Sequence, residues 1–513
     1  MKDSKKQIPT DFIDPLKRDD FTSFLRSLTL DMSDEHRYVS ITLPVARIDP
    51  LAVLEMQEPG GETFYWEHPQ EGTSLAAFGS AHSIRATGVN RFQEIAEQAE
   101  QIQKKTLSYT AVDDRLAGPL FLGGYSFYDY NVGTPWNRFG AARFFLPNWV
   151  LIRQKNRHLI TLVIPKQGRR PDEIFDEVLE RLTYFITFAG QQRTGSQNAK
   201  LQHSEQQANH SDQRRGSSLA EQDTASRQEI LCDIGLMGEQ ERWKRNVEAC
   251  RDLIRNGEFE KIVIARKLTV SARRPIRPTR LSYVLRERYP DCTTFFYQPE
   301  TKEGAEPISF VGSTPETLVR FRNDTLSTEG LAGSISRGGS ALEDHTLEQK
   351  LLHSQKDLNE HQYVVQSIRE SLKKLTVNVT APKKPGIKKL KHVQHLHTPI
   401  QATLNGKTSI HNAVAELHPT PAVGGFPRDK AVRHIEGIEQ VDRGWYASPI
   451  GWFHGSGEGN FVVAIRSALL ETKRATLYAG CGIVEDSDPE TEWQETMMKF
   501  STLLDALVMQ SEP

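Results

Sequence analysis

Cysteine is scarce in this chain. The four that occur in 513 residues, Cys232, Cys250, Cys292 and Cys481, form no CxxC pair and no metal-ligand spacing. A disulfide framework and a thiolate metal centre are therefore excluded, and reduced thiols are expected. No apolar stretch is long enough to span a bilayer. The N-terminal "MKDSKKQIPTDFIDPLKRDD" has no apolar run that could serve as a signal peptide. Charge of one sign is missing too. With 64 Lys and Arg against 66 Asp and Glu the net charge is −2, so no basic field argues for nucleic acid and no polybasic stripe for a membrane surface. What is present, 37% hydrophobic and 25% charged residues, is the make-up of an ordinary soluble protein, and a cytoplasmic one is expected. A chain of 513 residues is too long for one simple core and suggests two or three substructures.

Internal repeats are absent, but one segment breaks the pattern. Gln191–Glu229 is rich in Gln, Ser, Asn and Arg and nearly free of large apolar side chains. Such a segment buries too little surface to offset its ordering entropy, so 191–229 is expected to be a flexible polar linker. It divides an N-terminal scaffold half, 1–190, from a catalytic half, 230–513. In the first half short strand-like runs ("RYVSITLPV", "TFYWEHP", "SLAAFGSAHSI", "FLGGYSFYDY", "ARFFLPNWVLIRQ", "HLITLVIP") accompany helical periodicity at Phe92–Lys104 and Asp172–Phe188. In the second, "ERWKRNVEACRDLIRNG" predicts a helix closed by Gly257. A strand over Glu258–Leu268 follows, then a helix over Arg280–Arg288 and a long helix over Ala341–Leu375. Lys383–Gln394 reads as a solvated basic loop. "GWYASPIGWFH", "NFVVAIRSALL" and "RATLYAGCGIV" read as strands before a last helix, Pro489–Val508. The pattern predicts an α/β (α+β) fold.

Candidate chemistry concentrates in the second half. In "EKIVIAR" the alternation of a strand puts Lys261, Val263 and Ala265 on one face and Ile262, Ile264 and Arg266 on the other. A lysine there is either a solvated edge residue or, in a partly dry cleft, a base. Asp357 and Glu360 in "KDLNEH", and Glu492 and Glu495 in "PETEWQET", are acids three apart on two predicted helices. Alone they make solvated acidic faces; brought together they make an oxygen-rich site suited to magnesium. Glu316 follows a Gly-Ser-Thr-Pro turn, and in an apolar cleft its carboxyl would serve as a general acid. "EGLAGSISRGG" reads as a glycine-flanked loop whose N–H groups could reach an anion. Arg466 sits within the apolar "VVAIRSA", where a ligand carboxylate or an internal ion pair would satisfy it equally well.

Taken in order, "EKIVIAR", "GSTPE", "LAGSISRG", "KDLNEH", "ELHPTPAVGG", "DRGWYASPIG", "VAIRSA" and "YAGCGIVEDSDPETEWQET" resemble the chorismate-binding enzymes, over about Glu241–Leu507. That superfamily comprises isochorismate, salicylate, anthranilate and aminodeoxychorismate synthases. "FYWEHP", "FLGGYSFYD" and "FFLPNWVL" are similar to the N-terminal region of isochorismate synthases. The resemblance implies a large two-layered α/β sandwich with the active site between its halves, and an N-terminal region that is no independent catalytic domain. It implies that Lys261 is the base that activates water for attack at C2 of chorismate, and Glu316 the acid that protonates the departing C4 hydroxyl. Glu360 and Glu495 match magnesium ligands, and Asp357 and Glu492 match acids that hold metal-bound waters. Arg466 and Tyr446 match residues that grip the enolpyruvyl carboxylate. Gly333, Ser334, His395, Thr420, Gly480 and Gly482 lie in motifs that line the pocket.

Within the superfamily, Ala332 stands where aminodeoxychorismate synthases commonly carry a nucleophilic lysine. No "LLES" tryptophan-binding motif and no glutaminase domain occur here. The resemblance thus implies a magnesium-dependent isochorismate synthase, with menaquinone biosynthesis as its expected pathway and no glutaminase subunit. A monomer or weak homodimer is expected. Salicylate synthase, which uses the same lysine and glutamate, is the alternative; an anthranilate synthase large subunit is a more distant one. Cys481 replaces the usual small alanine of "AGAGIV", a change expected to reshape the pocket floor.

Overall fold

The computed structural model describes residues 20, 21, 23, 24, 36–57, 60–130, 133, 135–185, 187, 230, 231, 238–391, 393–405 and 408–510. The polar segment 191–229 and Cys232 lie outside them. Among the described residues twenty-one strands join in one largely antiparallel sheet. The sheet forks at the long strand Ala142–Gln154. The C-terminal part of this strand pairs with Arg157–Pro165, whereas its N-terminal part pairs with Leu120–Tyr125, and Thr73–Ala86 runs along its other edge.

One arm of the fork continues through Thr63–His68, Thr293–Gln298, Ser309–Thr314, Ser467–Leu470 and Arg474–Ile483 to Lys261–Ala272. The other runs through Leu120–Tyr125, Pro449–His454, Gly459–Val463, Thr317–Arg322 and Thr325–Ser336 to Val393–Leu404. The arms lie face to face: Trp66 of the first meets Trp452 of the second edge-on, with ring centroids 6.3 Å apart. This is the expected two-layered sandwich. Strands from before residue 190 pair directly with strands from after residue 230, so a single sheet crosses the boundary between the two halves.

Helices cover the outer faces. The apolar residues Leu281 and Leu285 of Pro278–Arg288, and Phe500 and Leu503 of Pro489–Met509, join Val311 and Leu477 of the first arm in one core cluster. Val364, Ile368 and Leu372, at the three- and four-residue spacing of one helix face, bury the helix Gln355–Lys373 against the second arm.

Several expectations from sequence are corrected. The helix predicted over Ala341–Leu375 is two, Ala341–His353 and Gln355–Lys373. Ser354 separates them with φ −73 and ψ 108 and accepts a hydrogen bond from the N–H of Asp357 at 3.3 Å, the N-cap that a serine offers in place of helix continuation. "EGLAGSISRGG" is not a loop. It forms most of the strand Thr325–Ser336, with a bulge at Gly333, whose φ of 73 is open to glycine. The basic stretch 383–394 contains the strand Gly386–Lys389 and is tied by ion pairs, Lys389 to Asp344 and Glu348 and Lys388 to Glu329. "GWYASPIGWFH" is extended only from Pro449, because Ala447 turns the chain with φ 59.

Candidate active site

The chain crosses between the two arms at two adjacent places, and each crossing delivers a functional side chain. Ser309–Thr314 belongs to the first arm and Thr317–Arg322 to the second, so Pro315 and Glu316 form the link. Gly459–Val463 and Ser467–Leu470 are linked in the return direction by Ala464–Arg466. The crossings hold each other. Thr314 Oγ1 donates to the carbonyl of Val463 at 2.7 Å, Val463 N–H to that of Glu316 at 3.1 Å, and Ser313 N–H to that of Arg466 at 3.1 Å. Arg466 is therefore not within a strand. It takes a left-handed φ of 51, which costs a non-glycine residue about 1–2 kcal/mol and swings its side chain into the pocket between the arms.

Lys261 opens the strand Lys261–Ala272. This is not an edge: Arg474–Ile483 pairs on one side and Gly425–Phe426 on the other. The alternation is as expected. Ile262 and Ile264 are buried, and Arg266 stacks on Trp493 at 3.7 Å under the C-terminal helix. The opposite face, with Lys261 and Val263, lines the pocket. There Gly482 stands opposite Val263 and Gly480 opposite Ala265. A methyl group at Gly482 would come within 2.4 Å of Lys261 Cε and 3.1 Å of its Nζ. The glycine is thus the space in which the lysine lies. Because the obstructed atoms are the far end of a flexible side chain, Gly482→Ala should keep the fold but displace the lysine nitrogen. A misplacement of about 1 Å can cost about 10²-fold in rate, so kcat should fall about 10–100-fold while thermal unfolding stays near that of the wild type. Steady-state kinetics beside a thermal melt check this.

Two glutamates enter the pocket from two helices, Glu360 from Gln355–Lys373 and Glu495 from Pro489–Met509. Each meets a lysine nitrogen. Lys261 Nζ is 2.6 Å from Glu360 Oε1, and Lys499 Nζ is 2.6 Å from Glu495 Oε1. Lys499 also donates to the carbonyl of Gly480 at 2.7 Å, and its charge holds the Glu495 carboxyl below the usual range. Two carboxylates reaching one pocket are the donor chemistry of a hard divalent ion, and the residues fit magnesium. Among the described residues no three His, Cys, Asp or Glu side chains gather into a ready cage. Magnesium does not require one, since it commonly takes one or two carboxylates and completes its shell with water and substrate.

Glu316 is 7% exposed, and burial together with the nearby charge of Glu329 raises its carboxyl to about 7, against the pull of Lys388 and Lys261. It is protonated in an appreciable fraction at neutral pH. Its side chain has one weak partner, Thr420 Oγ1 at 3.5 Å. His395 pairs through Nδ1 with Ser334 Oγ at 2.7 Å, while its buried Nε2 has no partner. Burial, with Arg466 and Lys499 beside it, lowers this imidazole to about 3, so it is neutral. Burial likewise lowers Arg466 and raises Tyr446 to about 12. No carboxylate of the described residues forms a salt bridge with Arg466. The internal ion pair that the sequence left open for it is therefore not made among the described residues.

Of the residues expected from sequence, Lys261, Glu316, Glu360 and Glu495 face one pocket, and Arg466, Tyr446 and His395 join them. Gly333, Ser334, Gly480 and Gly482 lie in its wall. Asp357, Glu492 and Thr420 stand behind it. Asp357 is held by the N-cap Ser354, whose hydroxyl accepts its N–H and donates to its carboxylate, and Glu492 is buried beneath Cys481 and Ser487 with a raised carboxyl, chiefly from burial. Cys481 lines the pocket floor, and its thiol points to the carbonyl of Glu492 on the C-terminal helix at 3.8 Å. Sequence reasoning missed Lys499, although its four-residue spacing from Glu495 was a signal. It also missed Arg443, which lines the pocket at 0% exposure and pairs with Glu439.

Known proteins share this arrangement of chain. The chain is 35% identical over 477 residues to the salicylate biosynthesis isochorismate synthase of Pseudomonas aeruginosa, covering 91% of this chain and 90% of that one. It is 31% identical over 478 residues to the isochorismate synthase MenF of Bacillus subtilis, covering 91% and 93%. In structure it matches MenF of Escherichia coli, the menaquinone-specific isochorismate synthase, with a TM-score of 0.69 at 23% identity, covering 95% of this chain and 99% of that one. Component I of anthranilate synthase from Streptococcus pneumoniae has the same fold, with a TM-score of 0.60 at 20% identity and coverage of 90% and 99%. The sequence profile described as "Chorismate binding enzyme" matches residues 23–508, and with nearly the whole described fold inside that match, the chain belongs to the chorismate-binding enzymes.

Proposed function

We propose that the protein is an isochorismate synthase, converting chorismate to isochorismate. The observation that carries this reading is that a buried lysine, Lys261, and a buried glutamic acid, Glu316, line one pocket. Adding water at C2 of the substrate ring while losing hydroxide at C4 needs one group to take a proton and another to give one. Lys261 takes the proton of the incoming water. Glu316, whose carboxyl titrates near 7, gives its proton to the departing oxygen. Arg466 and Tyr446 bind the enolpyruvyl carboxylate, and neutral His395 offers its free Nε2 to the bound substrate. Glu360 and Glu495 would hold magnesium, which when bound supplies the positive charge that neutralises and orients the ring carboxylate. Asp357 and Glu492 would steady water around it.

The relatives support water over ammonia as the nucleophile, since both long matches are named as isochorismate synthases. No glutaminase partner is then needed, and a monomer or weak homodimer suffices. Among the described residues no helix is long and apolar enough to cross a membrane, in keeping with a cytoplasmic enzyme. We assign the product to menaquinone biosynthesis, in line with the MenF likenesses. A salicylate-forming role is the second reading, prompted by the name of the Pseudomonas relative.

Product identification is the test. Purified protein, chorismate and magnesium, with and without ammonium, should yield isochorismate alone on chromatography, and chelation of magnesium should stop turnover. Salicylate with pyruvate would establish the second reading, and anthranilate formed only with ammonium would overturn the role given to Lys261.

A further inference from the structure

The basic stretch that looked like solvent-facing loop carries a feature that the reaction as described leaves unused. Lys388, on the short strand Gly386–Lys389, turns inward toward the link between the two arms. Its Nζ donates to the carbonyl of Pro315 at 2.8 Å and to both carboxylate oxygens of Glu329, at 3.1 and 3.0 Å. Glu329 in turn accepts the backbone N–H of Thr317 at 3.0 Å. His397 completes the cluster, its Nε2 2.8 Å from the second oxygen of Glu329. One ion pair therefore grips the residue before Glu316 and the residue after it.

We propose that Lys388 and Glu329 are positioning residues for the general acid, clamping the Pro315–Thr317 link so that the Glu316 carboxyl is presented to the leaving hydroxyl. The inference rests on the reading of Glu316 as that acid. Three observations carry it. The Glu316 side chain has only the 3.5 Å contact to Thr420 to hold it, so its place in the pocket is set through its backbone. The clamp is built of half-buried groups: the Glu329 side chain is 11% exposed and that of Lys388 24%. It comes from three strands of the second arm, whereas Lys261 is anchored in the first, so the clamp fixes the distance between acid and base across the sandwich. The charged groups bearing on Glu316 are Glu329, Lys388 and Lys261. Glu329 keeps its own negative charge throughout the physiological range, because bonds from His397, Lys388 and Thr317 outweigh its burial and hold it at about 2.

The test is a mutant cycle read in kcat and KM separately. Lys388→Met should lower kcat about 10–100-fold, the scale of a misplaced reacting group, with KM within about threefold, because Lys388 itself does not line the pocket. Lys388→Arg, which keeps both donors in reach, should recover most of the loss. Glu329→Gln, uncharged and of the same shape, should reproduce the Lys388→Met defect and supplies a second arm that perturbs folding least. In a Glu316→Gln background, followed by endpoint assay over hours, Lys388→Met should cause no further loss. An unchanged kcat in both single variants would overturn the clamp, as would an equal further loss in the Glu316→Gln background. If Glu316→Gln alone kept near-normal turnover, the acid assignment itself would fail, a result visible before any clamp variant is made.

Discussion

Lys261→Ala is expected to lower the formation of isochorismate by about 10²–10⁴-fold, the range a positioned general base contributes, while the protein remains folded. Lys261 is 2% exposed, and its one bonded partner is Glu360, at 2.6 Å. Truncation leaves a small space beside Gly482 and frees a carboxylate that faces the pocket, where water reaches it, so the cost in stability is modest. Glu360 and Glu495 both remain, and magnesium should still bind to the variant in a calorimetric titration. That combination, metal bound and fold intact with turnover lost, separates removal of a base from collapse of the site. Near-normal activity would mean that the incoming water is activated elsewhere in the pocket, and Lys499 would be the next group to test.

Arg443→Met is expected to destabilise the protein by about 3–5 kcal/mol, the usual loss when one partner of a buried ion pair is removed. Arg443 and Glu439 are each 0% exposed on the side chain. The guanidinium donates to Glu439 at 2.8 and 2.9 Å, to the carbonyl of Val423 at 2.9 Å and to that of Val263 at 2.8 Å, and lies over Phe127 at 4.2 Å. Glu439 also accepts the N–H of Ala265 at 2.7 Å. The pair therefore binds the strand that begins with Lys261 at two of its backbone groups, and catalysis should fall together with stability. Burial already raises the Glu439 carboxyl against the pull of Arg443; without the arginine it rises further. A carboxyl whose folded pKa exceeds its unfolded one contributes fully below the unfolded value and loses that contribution as pH rises through the folded one. The deficit of Arg443→Met should thus be least in mild acid and grow toward neutral and alkaline pH. Urea unfolding at several pH values measures it, and a deficit that shrinks as pH rises would contradict the account.

Much of the site was legible because it is written in short local signals. "EKIVIAR" alternates as a strand does, and the structure keeps Lys261 and Val263 on one face with Ile262 and Ile264 on the other. The acids of "KDLNEH" and "PETEWQET" lie on helices as read, and Glu360 and Glu495 meet in one pocket. The failures share a cause. Ser354 carried an N-cap signal that a run of helix-formers concealed, so two helices were read as one. Apolar neighbours made Arg466 look like part of a strand, when the chain there leaves one arm for the other. Lys388 and its neighbours looked solvated because basic composition says nothing of the acids that face it, Glu329 from a strand 59 residues away in sequence.

From the chain alone came the α/β class, the identity of the lysine, the glutamates and the arginine, and the family that their order resembles; the two-layered sandwich was implied by that resemblance. The residues follow from type at a fixed local spacing, which periodicity and short motifs report directly. Tertiary structure alone decided that two crossings between sheet arms would lie side by side and bring Glu316 and Arg466 to one pocket. It alone paired Lys499 with the carbonyl of Gly480, and set the Lys388–Glu329 ion pair astride the acid. Those contacts join residues far apart in sequence, and their energies depend on burial and on distance, quantities that exist only once the two arms have closed on each other.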